Sequence, residues 1–143
     1  MNLQLAEERE FMQSGVQMAA VPKGTMWAGR IVSAIPAVIL LFGGIMKLVG
    51  LPSVVQGFAQ YGYPASSIPV VGILEVGCAV VYLIPRTAVL GAILMTGLLG
   101  GAIASNVRTN NPAFIAPLLV GVLVWGGLYF RDLRLRALIP LRH

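Results

Sequence analysis

Residues 68–84, IPVVGILEVGCAVVYLI, and residues 88–107, AVLGAILMTGLLGGAIASNV, are two apolar runs joined by Pro85-Arg86-Thr87. A bilayer crossing takes about 20 apolar residues as helix, and a three-residue connection returns the chain antiparallel beside itself. Glu75 is the one charged residue in either run. The same pattern extends outward. Upstream, Ile31 to Val49 is a further span, with Lys47 its only interior charge and Pro36 expected to kink it. Downstream, Ala113 to Phe130 carries no charge, and Arg108-Thr109-Asn110-Asn111-Pro112 turns the chain ahead of it. The predicted fold is an all-α membrane protein, a four-transmembrane-helix bundle with spans 31–49, 68–84, 88–107 and 113–130. Between the first two spans, Val54, Val55, Phe58 and Tyr61 share one helical face, which predicts a short interfacial helix. Residues 1–30 read as a mixed N-terminal tail without a signal-peptide pattern, and residues 131–143 as a basic C-terminal tail.

Composition supports this reading. The 143 residues are 57% hydrophobic and 10% charged, against about 25% charged in soluble domains. Mean hydropathy is +0.85. A soluble body of this size cannot cover itself with so few polar side chains. A soluble enzyme, a nucleic-acid-binding domain and a disordered chain are therefore excluded, and the lipid bilayer is the first partner. The net charge of +5 is spread between and beyond the apolar runs, where it meets lipid head groups rather than nucleic acid. Cys78 is the single cysteine and His143 the single histidine. No disulfide, metal framework or histidine pair for a haem is available, so any redox role needs a borrowed cofactor.

Eight of the ten Lys and Arg residues lie in the N-terminal tail, the 85–87 turn and the C-terminal tail; Lys47 and Arg108 lie on the other side. The positive-inside rule then places both termini in the cytoplasm. Trp27, Trp125 and Tyr129 fall near that boundary, where amphipathic rings prefer to sit. In span three Gly97, Gly101 and Ser105 recur every fourth residue, with Gly100 and Ala104 beside them. This small-residue stripe is expected to pack against span two or four within the chain, with homodimerisation as the alternative.

Glu75 lies seven residues into span two, roughly 10 Å below the outer interface at about 1.5 Å per residue. A carboxylate at such depth faces protein, water or a partner, and a tether and a binding group are equally consistent with it. Cys78, Ala79 and Tyr82 share its helix face. Lys47 occupies the same outer half of the bilayer, so the two can pair; for a lysine near a helix end, snorkelling to the interface is the expected state. Asn106, Arg108, Tyr61 and Tyr63 belong to that side as well. The topology thus gathers Glu75, Lys47, Asn106, Arg108, Tyr61 and Tyr63 as candidate binding residues at one end of the bundle, and a pocket there opens outward. No nucleophile–base pair, paired carboxylates or glycine loop identifies a catalytic residue.

Several motifs resemble the DoxX-like membrane proteins: Phe42-Gly43-Gly44-Ile45-Met46-Lys47-Leu48, Gly62-Tyr63-Pro64, Gly72-Ile73-Leu74-Glu75, Leu83-Ile84-Pro85-Arg86-Thr87 with Leu90-Gly91-Ala92, and Gly101-Ala102-Ile103-Ala104. The resemblance extends over about residues 28 to 140. It implies a four-helix bundle in the bacterial inner membrane, acting as a small subunit or accessory of quinone-linked oxidoreductases, a thiosulfate:quinone system among them, or of oxidative-stress complexes. It also implies Lys47 and Glu75 as the matching polar positions. Related sequences often carry a histidine late in span three, where this chain has Asn106. An amide hydrogen-bonds but does not shuttle a proton near neutral pH.

Two classes of function follow as expectations. The first is a non-catalytic subunit or accessory that binds or positions a lipophilic molecule such as a quinone, with an oxidoreductase subunit or a second copy as partner. The alternative is a membrane enzyme acting on a lipophilic substrate with Glu75 as acid–base group. A small transporter is a third class, and it requires oligomerisation because one four-helix bundle lacks an internal repeat.

Overall fold

The first helix is described from Lys23, eight residues before the first expected span, and buried Gly29 continues the line of Ser33, Ala37 and Leu40 on one face. The computed structural model describes residues 23–131 and the isolated Gln4. Within them, α1 (Lys23–Val49) runs through Pro36, and Gly50 ends it with φ of 71°, the left-handed conformation that glycine adopts without strain. A short helix, α2 (Pro52–Gln60), follows with proline in its first turn, where the amphipathic 54–61 stretch predicts one. Then come α3 (Ser67–Leu83), α4 (Ala88–Arg108), a 3₁₀ turn (Pro112–Phe114) and α5 (Ile115–Arg131). The described residues are all-helical. Of the expected tails, 1–30 and 131–143, the stretch 23–30 and Arg131 are helical; the remainder, apart from Gln4, lies outside the described residues.

Met26–Val49, Ala88–Arg108 and Pro112–Arg131 are long and apolar enough to cross a membrane. The 17 residues of α3 are apolar but shorter, about 25 Å at 1.5 Å per residue. Large apolar side chains, among them Val38, Phe42, Ile73, Leu119 and Val122, lie on the outside, the reverse of a water-soluble protein and the surface that lipid requires.

The helices form a closed cycle in which α1 packs on α3 and α5, and α4 packs on the same two. Lipid supplies no hydrophobic drive between helices, so close backbone approach decides the packing. Glycines mark the closest points. A Cβ at Gly44 would lie 2.9 Å from Gly72 O, and one at Gly72 would lie 3.0 Å from Gly44 O, which fixes the α1–α3 crossing. Gly127 sits against Ser33 and Gly29 against Arg131, which fixes α1 on α5 in antiparallel order. Gly91 is packed on the backbone of Tyr82, closing the α3–α4 hairpin. Ala37, Ala79, Tyr82, Ala92, Met95, Val124 and Leu128 fill the centre.

The small-residue stripe behaves otherwise than its spacing predicts. Gly97, Gly100 and Gly101 have open space where a Cβ would stand, so these three glycines make no close helix contact among the described residues, while Ser105 at the end of the stripe meets Tyr63. The glycines used are those facing bulky or backbone neighbours, and four-residue spacing on one helix carries no information about what lies opposite.

Candidate functional site

The α1–α3 crossing positions the first polar group. Across the antiparallel α1–α3 crossing, Gly44 lies against Glu75 and Gly72 against Lys47, so the two charges stand about one turn apart along the bundle and the long lysine side chain reaches back past Gly43 to the carboxylate. Lys47 Nζ donates to both carboxylate oxygens of Glu75, at 3.0 Å to Oε1 and 2.8 Å to Oε2. Its third direction reaches Gly43 O at 3.4 Å. The pair replaces the expected snorkelling lysine. Their side chains keep 17% and 13% of their surface accessible, so the pair lies at the edge of the bundle rather than in its centre. The absence of a side chain at Gly43 leaves the approach open, since a Cβ there would come 3.3 Å from Glu75 Oε2 and 3.6 Å from Lys47 Nζ.

Tyr61, Tyr63, Asn106 and Arg108 form a separate network that fastens the α2 connection to the end of α4. The Tyr61 hydroxyl donates to Asn106 Oδ1 at 2.8 Å and accepts from Asn111 Nδ2 at 3.0 Å. Asn106 returns its amide to Ala102 O, and Asn111 Oδ1 accepts from Ala113 N to cap the 3₁₀ turn. Ser105 spends its proton on Gly101 O at 2.8 Å, so the Tyr63 hydroxyl, 2.7 Å away, is the donor to Ser105 Oγ. Arg108 donates to Tyr61 O. Among the described residues no hydrogen bond or ion pair joins this network to the Lys47–Glu75 pair. The six residues expected at one end of the bundle thus fall into two groups, a pair and a clasp: membrane side tells which end of the bundle a residue occupies, not which helix face.

Asn111 and Ser105 are partners that sequence reasoning passed over. Asn111 stands in the Asn-Asn-Pro turn, where an asparagine side chain mimicking a backbone turn is a readable signal; Ser105 was hidden within the small-residue stripe. Tyr82 was singled out only for sharing a face with Glu75. It is fully buried, its hydroxyl donates to Val124 O at 2.9 Å, and Arg131 Nη2 donates to its carbonyl at 3.0 Å. Trp125 Nε1 donates to Thr96 Oγ1 at 2.9 Å.

The clasp yields a prediction. Tyr61→Phe leaves the Asn106 acceptor and one Asn111 donor without their partner, a cost of about 1–2 kcal/mol, and should speed protease cleavage between residues 50 and 66 of the detergent-solubilised protein. Unchanged cleavage would show that the clasp does not hold the connection.

The family model described as the DoxX-like family matches residues 31–127, within the stretch over which the motifs show their resemblance. That range includes both polar groups and all the packing glycines except Gly29. No curated protein and no solved structure matches the chain.

Proposed function

The chain belongs to the DoxX-like family, and from that premise we propose that it is a non-catalytic subunit or accessory that binds or positions a lipophilic molecule beside Lys47 and Glu75. It resides in a bacterial inner membrane with four spans and cytoplasmic termini. The apolar character of α3 and its place between α1 and α4 support a fourth crossing, and the distribution of Lys and Arg supports the orientation.

One observation carries the functional reading: a part-buried ion pair at the bundle edge, reached over a glycine, whose lysine makes a long third contact. A 3.4 Å bond to Gly43 O is easily exchanged for a better acceptor. A quinone fits this site in kind, because its carbonyls accept hydrogen bonds and its ring and tail suit the apolar helix faces around the pair. Lys47 would hold a carbonyl, and Glu75 would keep Lys47 oriented. Bound there, a quinone supplies two-electron redox capacity to a partner oxidoreductase. Both Glu75 oxygens already accept from Lys47, which favours an orienting carboxylate over an acid–base one.

Glu75→Gln should lower quinone retained by the gently extracted protein by roughly tenfold, the weight of one charge-assisted interaction, as read by native mass spectrometry. Equal quinone content and equal assembly in that variant would sink the proposal.

A further inference from the structure

The other end of the bundle carries a second site, independent of the first. Met26 and Arg30 lie one turn apart on α1; Leu128 and Arg131 lie one turn apart on α5. The contact of Gly29 with Arg131 brings these two turns together, and Pro85 of the α3–α4 connection and Ala88 at the start of α4 complete a cleft of about 160 Å³. Arg30 and Lys47 are 17 positions apart on α1, about 25 Å along the helix, so this cleft and the ion pair are separate places in the fold.

Three features give the cleft one electrostatic character. Arg30 and Arg131 both line it, and Glu75, the sole carboxylate among the described residues, is committed to Lys47. Arg131 is held in place by Tyr82, through the carbonyl at 3.0 Å and the ring at 4.9 Å from its Cζ. That uses part of a guanidinium with five donors and leaves others available. Finally, α4 starts at Ala88 in the cleft wall without a side-chain cap, because the Thr87 hydroxyl donates to Val81 O at 2.8 Å. The uncapped first turn adds N–H groups and the positive end of a 21-residue helix. Two arginines, one of them preoriented, together with an open helix start suit a tetrahedral oxyanion. Met26, Pro85 and Leu128 add an apolar rim.

We infer that this cleft binds a phosphate oxyanion, with Arg30 and Arg131 as its paired cationic ligands and the first turn of α4 as its backbone donor. The apolar rim and the lipid-facing helices around it make the phosphodiester of an anionic phospholipid the natural carrier; free phosphate presents the same oxygens without the chains.

The test is native mass spectrometry of the full-length protein in detergent with phosphatidylglycerol, phosphatidylcholine or inorganic phosphate added. Phosphatidylglycerol should be retained at least tenfold better than phosphatidylcholine. Arg30→Gln, an exposed position whose loss does not threaten the fold, should lower that retention roughly tenfold, while Arg142→Gln, which removes the same charge from the C-terminal tail, should leave it unchanged. Arg131→Lys should also weaken it, because an ammonium keeps the charge but not the fork. Displacement of the lipid by millimolar inorganic phosphate would identify the free anion as an equal source; retention of the lipid in its presence would identify the phospholipid. Equal retention of the two lipids, or equal losses in Arg30→Gln and Arg142→Gln, would overturn the inference, since only diffuse attraction would then remain.

Discussion

Gly91→Ala is expected to destabilise the bundle by about 3 kcal/mol, the upper part of the range for an overpacked interior. The added methyl would stand 2.4 Å from both N and Cα of Tyr82. Those are backbone atoms, so no rotamer change relieves the clash; α3 and α4 must separate, and the Arg131 and Val124 contacts of Tyr82 loosen with them. Alanine is otherwise the better helix residue by up to about 1 kcal/mol, which makes the sign of the result informative. Gly97→Ala provides the contrast, since open space surrounds that position and the substitution should be neutral or slightly stabilising. Unfolding in mixed detergent, followed by far-ultraviolet circular dichroism, measures both. Equal stabilities for Gly91→Ala and Gly97→Ala would mean that the hairpin is not closed at Tyr82.

Lys47→Met should cost about 3 kcal/mol in the same assay, the low end for breaking a buried pair, because Glu75 keeps 13% of its side-chain surface accessible. The loss comes from stranding the carboxylate among apolar neighbours rather than from the lost attraction itself. Two consequences separate this cause from simple loss of packing. Adding Glu75→Leu to Lys47→Met should restore most of the stability, since a pair of apolar residues often does as well as a buried ion pair. Glu75→Gln alone should cost less than Lys47→Met, because an unpaired lysine near the end of α1 can extend to the interface, whereas a glutamate in the body of α3 has no such exit. A double variant as unstable as Lys47→Met would show that the methylene stem of the lysine, and not its charge, matters at this crossing.

The helices were legible because each is an apolar run bounded by charge or by glycine and proline. The turn at Pro85-Arg86-Thr87 and the short helix at 52–60 were readable for the same reason, and the ordered motifs between Phe42 and Ala104 were enough to point to the family. Helix faces were much less legible. In α3 nearly every residue is apolar, so no stripe distinguishes the side toward α1 from the side toward lipid, and the partner of Glu75 could be narrowed only to residues at the same depth. A usable signal was nevertheless present: Gly44 and Gly72 stand three residues before Lys47 and Glu75, and in an antiparallel crossing each glycine makes room opposite the other helix's charged residue, leaving the two within reach of one lysine side chain. The stripe on α4 misled because small residues permit close approach without compelling it. The join between the 50–66 connection and α4 depends on where Tyr61 comes to rest after two chain reversals at Gly50 and Gly62, which no local pattern encodes.

Tyr82 also bears on how the bundle is made. Synthesis delivers α3 and α4 before α5, so until α5 arrives the Tyr82 hydroxyl lacks the Val124 carbonyl and its own carbonyl lacks Arg131. An unsatisfied polar group in hydrocarbon is expensive, and this one lies on the surface that α5 will cover. The nascent hairpin therefore carries an unfinished polar seam that the arriving helix closes, and burial of one tyrosine ties completion of the bundle to emergence of its C-terminal segment from the ribosome.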